Sequence, residues 1–200
     1  MVDISLVEKI VKDAGLDSAL LSIFMGDIIK YFNTGIDSLE TQLQINIERV
    51  NPRVLNAIKE YNFNLIKDMN DDLANKLKGT ISRNLLTGDK KNMVKDIKDL
   101  FDTTLTRAKS IARTETARAY GLGELSAARQ AVKDGLRVKK YWMSVIDNRT
   151  SPLCRRLNAK YSKDKAINVD DYFIDNESGW RGLTNPSHPN CRSSVVYIRG

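Results

Sequence analysis

One histidine, two cysteines and four prolines are all that 200 residues provide of the side chains most used for metal chemistry, disulfide frameworks and rigid turns. A single histidine cannot build an ordinary HNH-type nuclease centre, and no paired catalytic histidine, HExxH element or glycine-rich phosphate cradle occurs elsewhere. Two cysteines in an intracellular chain read as thiols or ligands more readily than as a disulfide staple, although an oxidising environment would permit a Cys154–Cys191 bridge. Long apolar runs are missing too. The most apolar stretch, Ala19 to Phe32, is broken by Asp27 and Lys30 and falls short of the roughly 20 residues a bilayer span requires, so no membrane role is expected. The opening MVDISLVEKI has no basic region followed by an apolar run, so no signal peptide is expected either. Internal repeats, low-complexity tracts, helix-turn-helix patterns and zinc-finger spacing are likewise missing.

What is present is charge, unevenly placed. The net charge is +7, yet residues 136–200 hold twelve Lys and Arg against six Asp and Glu, a net of +6, which leaves +1 for the first 135 residues. Such a field suits a phosphate-bearing or acidic partner, and equally a solvated surface. The densest cluster is Arg155, Arg156, Lys160, Lys163 and Lys165, expected in a loop and able to contact DNA phosphates without reading sequence.

Two hundred residues suffice for one domain with a helical extension. Asp17 can cap a helix reaching about Phe32, and Asn51-Pro52 is a good start for the next. NLIKDMNDDLANKLKGTISRNLL continues at helical spacing to Thr87-Gly88-Asp89, a short helix covers Asn92 to Phe101, and Asp102 or Thr103 caps another from about Thr104 to Lys133. Asp134-Gly135 can end it in the left-handed conformation. Beyond Gly135 the pattern changes. RVKKYWMSVI, the weaker AINVDDYFI and SSVVYIR are strand candidates separated by turn residues. The expected fold class is α+β: a mainly helical N-terminal region and a long helix packed on a small antiparallel C-terminal sheet. The expected domains are an N-terminal helical extension over 1–50, a helical region over 51–103 and an α+β domain over 104–200.

Two helical features stand out. The helix around Phe24 and Ile28 is apolar around much of its circumference, which suggests burial against a partner subunit or another helix of this chain. On the last helix, Leu105, Ala108, Ile111, Ala112, Ala119 and Leu122 form a stripe with Glu115 in its middle. A carboxylate there needs a cation; Arg107, Arg118 and Arg129 line one edge of the stripe, and the remote Arg181 and Arg192 are further candidates, with a structural ion pair favoured over catalysis.

RAKSIARTETARAYG, then KKYWMSVIDNRTSPLCRRLNAK, then NPSHPNCRSSVVYI, resembles in content and order the Mu F-like head morphogenesis (minor head or minor capsid) proteins of tailed bacteriophages, over roughly residues 50 to 199. The resemblance implies a structural component of the virion head, associated with portal and capsid proteins, assisting assembly and in some members contacting packaged double-stranded DNA or influencing its exit. It implies no enzyme. Many members have Thr-Cys-Pro-x-Cys where this chain has Thr150-Ser151-Pro152-Leu153-Cys154, and Cys-Arg-Cys where it has Cys191-Arg192-Ser193, so two thiols of that pattern are serines here.

The HPNCR stretch, residues 188–192, then has three readings. In the first, Cys154, His188 and Cys191 ligate zinc, with Asp147 required as the fourth ligand. In the second they form a cysteine- or zinc-dependent hydrolase, Cys154 acting as nucleophile with His188 and Asn190 behind it. In the third, His188-Pro189-Asn190 merely shapes a turn while both thiols are buried as small apolar groups.

Overall fold

The computed structural model describes residues 16–47 and 90–200, with isolated positions between 56 and 80. The helix start expected at Asn51-Pro52 and the stop at Thr87-Gly88-Asp89 lie outside the described residues, as do the side chains of Phe24 and Ile28. The chain divides into two compact units: residues 1–26 with 59–112, and residues 27–58 with 113–200.

Two long helices run through this division. Helix α1 spans Leu16–Leu43 and helix α2 spans Lys90–Lys133. The stop expected near Phe32 does not occur, because Phe32, Leu39 and Leu43, with Ile36 between them, continue the apolar spacing and are taken into the core. The break expected between Phe101 and Thr104 is absent too: Thr103 Oγ1 donates to the carbonyl of Asp99 at 2.8 Å, one turn back, instead of capping a new helix. In the first unit the described positions between 60 and 80 are helical, and Asp72 is paired with Lys76 at 2.9 Å and with Arg107.

The second unit is α+β. Helix α2 closes where expected. Gly135 sits at φ 91°, the amide of Leu136 donates to Ala131 O at 3.0 Å and that of Gly135 to Val132 O at 3.1 Å, the double bond of a glycine-terminated helix. Strand β1 (Val138–Met143) follows, then helix α3 (Pro152–Lys160), a 3₁₀ turn (Lys163–Lys165), β2 (Ile167–Asn168), β3 (Phe173–Asp175), β4 (Trp180–Gly182) and β5 (Ser194–Arg199). β1 is the centre of an antiparallel sheet of order β2-β1-β5, with Val138 opposite Arg199 and Met143 opposite Ser194. β3 and β4 form a separate antiparallel pair. The single strand expected over AINVDDYFI is therefore two strands in two sheets. Asp171 divides them by accepting the Asn168 amide at 3.1 Å and donating its own amide back to Asn168 O at 3.1 Å.

Alternation along β1 sends Val138, Lys140 and Trp142 inward, where Trp142 meets Phe173 and Trp180 edge-on at 5.3 and 5.7 Å between ring centroids. Leu125, Ala127, Ala128 and Ala131 of α2 close the other side of this core with Leu39 and Leu43 of α1. Arg199 donates from Nε to Leu43 O at 2.9 Å, so the last strand supplies a cation to the end of α1.

Candidate metal centre and its surroundings

Helix α3 begins because Ser151 accepts the Cys154 amide at 3.2 Å and Pro152 occupies the first turn, where a missing amide donor costs nothing. Leu153 and Leu157 join the core, and Cys154, one residue on from Leu153, is 2 % exposed. Thirty-four and thirty-seven residues later the chain returns in a tight turn. The Cys191 amide donates to His188 O at 3.2 Å, Asn190 takes φ 56°, and the Asn190 amide donates to Thr114 Oγ1 of α2 at 3.0 Å.

The turn places three ligand atoms together. Cys154 Sγ lies 3.3 Å from His188 Nε2 and 3.7 Å from Cys191 Sγ, and all three atoms fall within 4.8 Å of one another. His188 Nδ1 is 2.8 Å from the carbonyl of Pro189, which can only accept, so Nδ1 carries the proton and Nε2 presents its lone pair to the sulfurs. Serine hydroxyls line the pocket. Ser151 Oγ is 2.9 Å from Nε2, Ser187 Oγ is 3.3 Å from Cys154 Sγ and 3.6 Å from Cys191 Sγ, and buried Ser193 is tied to Ser144 at 2.8 Å. The two thiols are free and hydrogen-bonded to each other; that contact holds Cys191 below the usual thiol range against its own burial and, together with burial, pushes Cys154 up.

Asp147 does not complete this set. Arg192 grips both its oxygens, at 2.6 and 2.8 Å, and holds its carboxyl well below the usual carboxylate range, with the Arg149 amide and Thr150 hydroxyl adding to the effect. Its oxygens are engaged by Arg192 and do not belong to the cluster of ligand atoms, which is Cys154, His188 and Cys191. The hydrolase arrangement is also not what the geometry provides. His188 Nδ1 meets Pro189 O and not Asn190, and Cys154 is buried, where a substrate carbonyl cannot reach it.

The other candidate residues are dispersed. Glu115 is 4 % exposed and accepts from Arg118 Nε at 2.9 Å. Arg107 goes to Asp72 and Arg192 to Asp147, because the packing brings each to a nearer carboxylate. Arg181 stacks on the Tyr172 ring at 4.0 Å. Of the basic cluster, Arg155, Arg156 and Lys160 lie on α3 and Lys163 and Lys165 on the 3₁₀ turn, not in a free loop. Arg156 binds Asp175 through two nitrogens at 2.8 Å and Glu177 at 2.9 Å. Lys160 donates to Ile174 O at 3.0 Å and Arg155 to the carbonyls of Thr150 and Asp147. Thr114, Ser187 and Asp175 escaped the sequence reading. Ser151 could have been found, since Ser-Pro before a short amphipathic stretch is a helix start.

Residues 27–58 and 113–200 thus form a small α+β unit in which an arginine-bearing helix, a tryptophan strand and a His-Pro-Asn-Cys turn converge on one thiol pocket. The profile of the family described as Phage Mu protein F like protein matches residues 75–196, more than half of the sequence, and the chain belongs to that family. It is also similar to the minor head protein GP7 of Bacillus phage SPP1, 27 % identical over 133 residues, which are 64 % of this chain and 41 % of that protein. The chain therefore spans less than half the length of that relative. No solved structure matches it. Among the described residues no helix is long and apolar enough to cross a membrane.

Proposed function

We propose that this chain is a minor head protein of a tailed bacteriophage or prophage, incorporated into the virion head beside the portal, where it assists assembly by binding. The observation that carries this reading is the family match over residues 75–196, which takes in all of α2 and nearly all of residues 113–200, together with the likeness to a minor head protein. Residues 1–50 would serve as the partner-binding extension, with Phe24 and Ile28 as contacts. Double-stranded DNA would be a second, non-specific partner through Lys163 and Lys165, which are exposed on the 3₁₀ turn, and the exposed Arg155.

The test is to purify particles from a phage carrying an epitope-tagged copy and to identify what co-purifies. Portal and capsid proteins at fixed ratio are expected, and particles assembled with Phe24→Asp and Ile28→Asp in the tagged copy should lack it. Particles that never contain the protein, or that retain the folded double variant in full, would overturn the reading.

A further inference from the structure

The thiol pocket is better built for a metal ion than for two inert thiols. Small apolar groups are accommodated best by apolar neighbours, yet here buried Ser187 and Ser193 and half-buried Ser151 surround the sulfurs with hydroxyls. The two sulfurs stand 3.7 Å apart and are not bonded to each other.

The spacing agrees with a tetrahedral ion. With Zn–S of about 2.3 Å and Zn–N of about 2.0–2.1 Å, tetrahedral geometry requires roughly 3.8 Å between two sulfurs and about 3.6 Å between sulfur and nitrogen. The observed separations, 3.7 Å for the sulfurs and 3.3 Å from Cys154 Sγ to His188 Nε2, are within a few tenths of an ångström of those values, and all three ligand atoms lie within 4.8 Å of one another. The second shell is also in place. The Pro189 carbonyl fixes the imidazole tautomer that presents Nε2, and the Asn190 amide on Thr114 anchors the turn carrying two of the three ligands. Ser187 Oγ, at 3.3 and 3.6 Å from the two sulfurs, and Ser151 Oγ, at 2.9 Å from Nε2, stand where a fourth, oxygen ligand would be.

We propose that Cys154, His188 and Cys191 bind one zinc ion as a three-ligand structural clip, with an oxygen of the serine shell in the fourth position and Asp147 outside the coordination sphere. Two thiolates and one imidazole favour zinc over magnesium or calcium, which take oxygen ligands. The ion would fasten the His188–Cys191 turn to the first turn of α3, joining chain segments more than thirty residues apart. The clip rests on this pocket alone and holds whether or not the chain is a head protein.

The experiment uses the full chain without a histidine tag, purified under reducing conditions and analysed for metal by mass spectrometry. One zinc per chain is expected. After chelation the thermal midpoint should fall by several degrees and recover with zinc. Cobalt added to the chelated protein should give the sulfur-to-metal charge-transfer band and intense visible bands of a tetrahedral thiolate site. Cys154→Ser, His188→Ala and Cys191→Ser should each lose zinc, whereas Asp147→Asn should keep it. A reduced, folded chain that is metal-free, shows no cobalt spectrum and gains no stability from zinc would refute the clip, as would a purified chain with Cys154 and Cys191 joined in a disulfide. Zinc lost in a folded Asp147→Asn chain would refute the three-ligand set. The cobalt titration is done on the unaltered chain, so a ligand variant that fails to fold leaves the test intact.

Discussion

Glu124 carries its carboxyl into the α+β unit at 2 % exposure, where Oε1 accepts from Ser38 at 3.2 Å and Gln42 at 2.9 Å. Oε2 has no partner among the described residues, and burial pushes the group up from 4.5 to about 7 although the hydroxyl and amide donors oppose it. A carboxyl whose folded pKa is raised binds its proton more tightly in the native state, so its contribution to stability is complete below about 4.5 and is lost as pH rises through about 7. The shift corresponds to a contribution on the order of 3 kcal/mol. Glu124→Gln should therefore stabilise the protein at pH 8 by about 1–3 kcal/mol in denaturant unfolding and flatten the pH dependence between 4.5 and 7. An unchanged profile would show that Glu124 is not desolvated. Glu115 and Arg118 are unequal partners, with side chains 4 % and 38 % exposed. Arg118→Ala strands a buried carboxylate and should cost about 3–5 kcal/mol, whereas Glu115→Ala leaves a guanidinium that water can reach and should cost about 1–2 kcal/mol. Equal losses in chemical denaturation would contradict this asymmetry.

Helices α1 and α2 touch through backbone. A Cβ at Gly123 would stand 2.1 Å from Phe32 O, and one at Gly35 would stand 2.1 Å from Tyr120 O. Neither neighbour is a side chain that could swing away. Gly123→Ala should thus force the helices apart and lower stability by about 1–3 kcal/mol or more. Gly79, helical with nothing within 4 Å of its Cβ position, is the control, and Gly79→Ala should raise stability by up to about 1 kcal/mol. Thermal midpoints moving the same way for both would rule out the close crossing. These glycines were invisible as contacts in the sequence, because nothing in a helix-periodic stretch says which residue faces another helix at closest approach. The elements themselves were more legible. The end of α2 at Asp134-Gly135 and the strands over Val138–Met143 and Ser194–Arg199 follow from local turn chemistry and β-branched, aromatic composition. The helix over Pro152–Lys160 was misread as loop because its basic residues masked the Leu153, Cys154 and Leu157 stripe.

For the whole molecule, the basic excess of residues 136–200 should appear as weak, salt-dependent DNA binding if the proposed contact holds. Lys163→Glu with Lys165→Glu should weaken retention on duplex DNA at low salt without changing the fold, and indifference of binding to these changes and to salt would remove DNA from the partners. Some of these basic side chains are already engaged within the fold, Arg156 with Asp175 and Arg192 with Asp147, and a count of lysines and arginines cannot reveal that. By itself the sequence determined the α+β class, the end of α2 at Gly135, the strands over Val138–Met143 and Ser194–Arg199 and the resemblance to Mu F-like proteins, because periodicity, turns and motifs reside in neighbouring residues. Only the tertiary structure decided that Cys154 meets His188 and Cys191, that Arg192 takes Asp147 away from them, and that Glu124 lies buried with one oxygen unpartnered among the described residues. Those outcomes depend on which distant segments packing brings within a few ångströms, and the energy of a charge or a ligand is set at that range and not by its place along the chain.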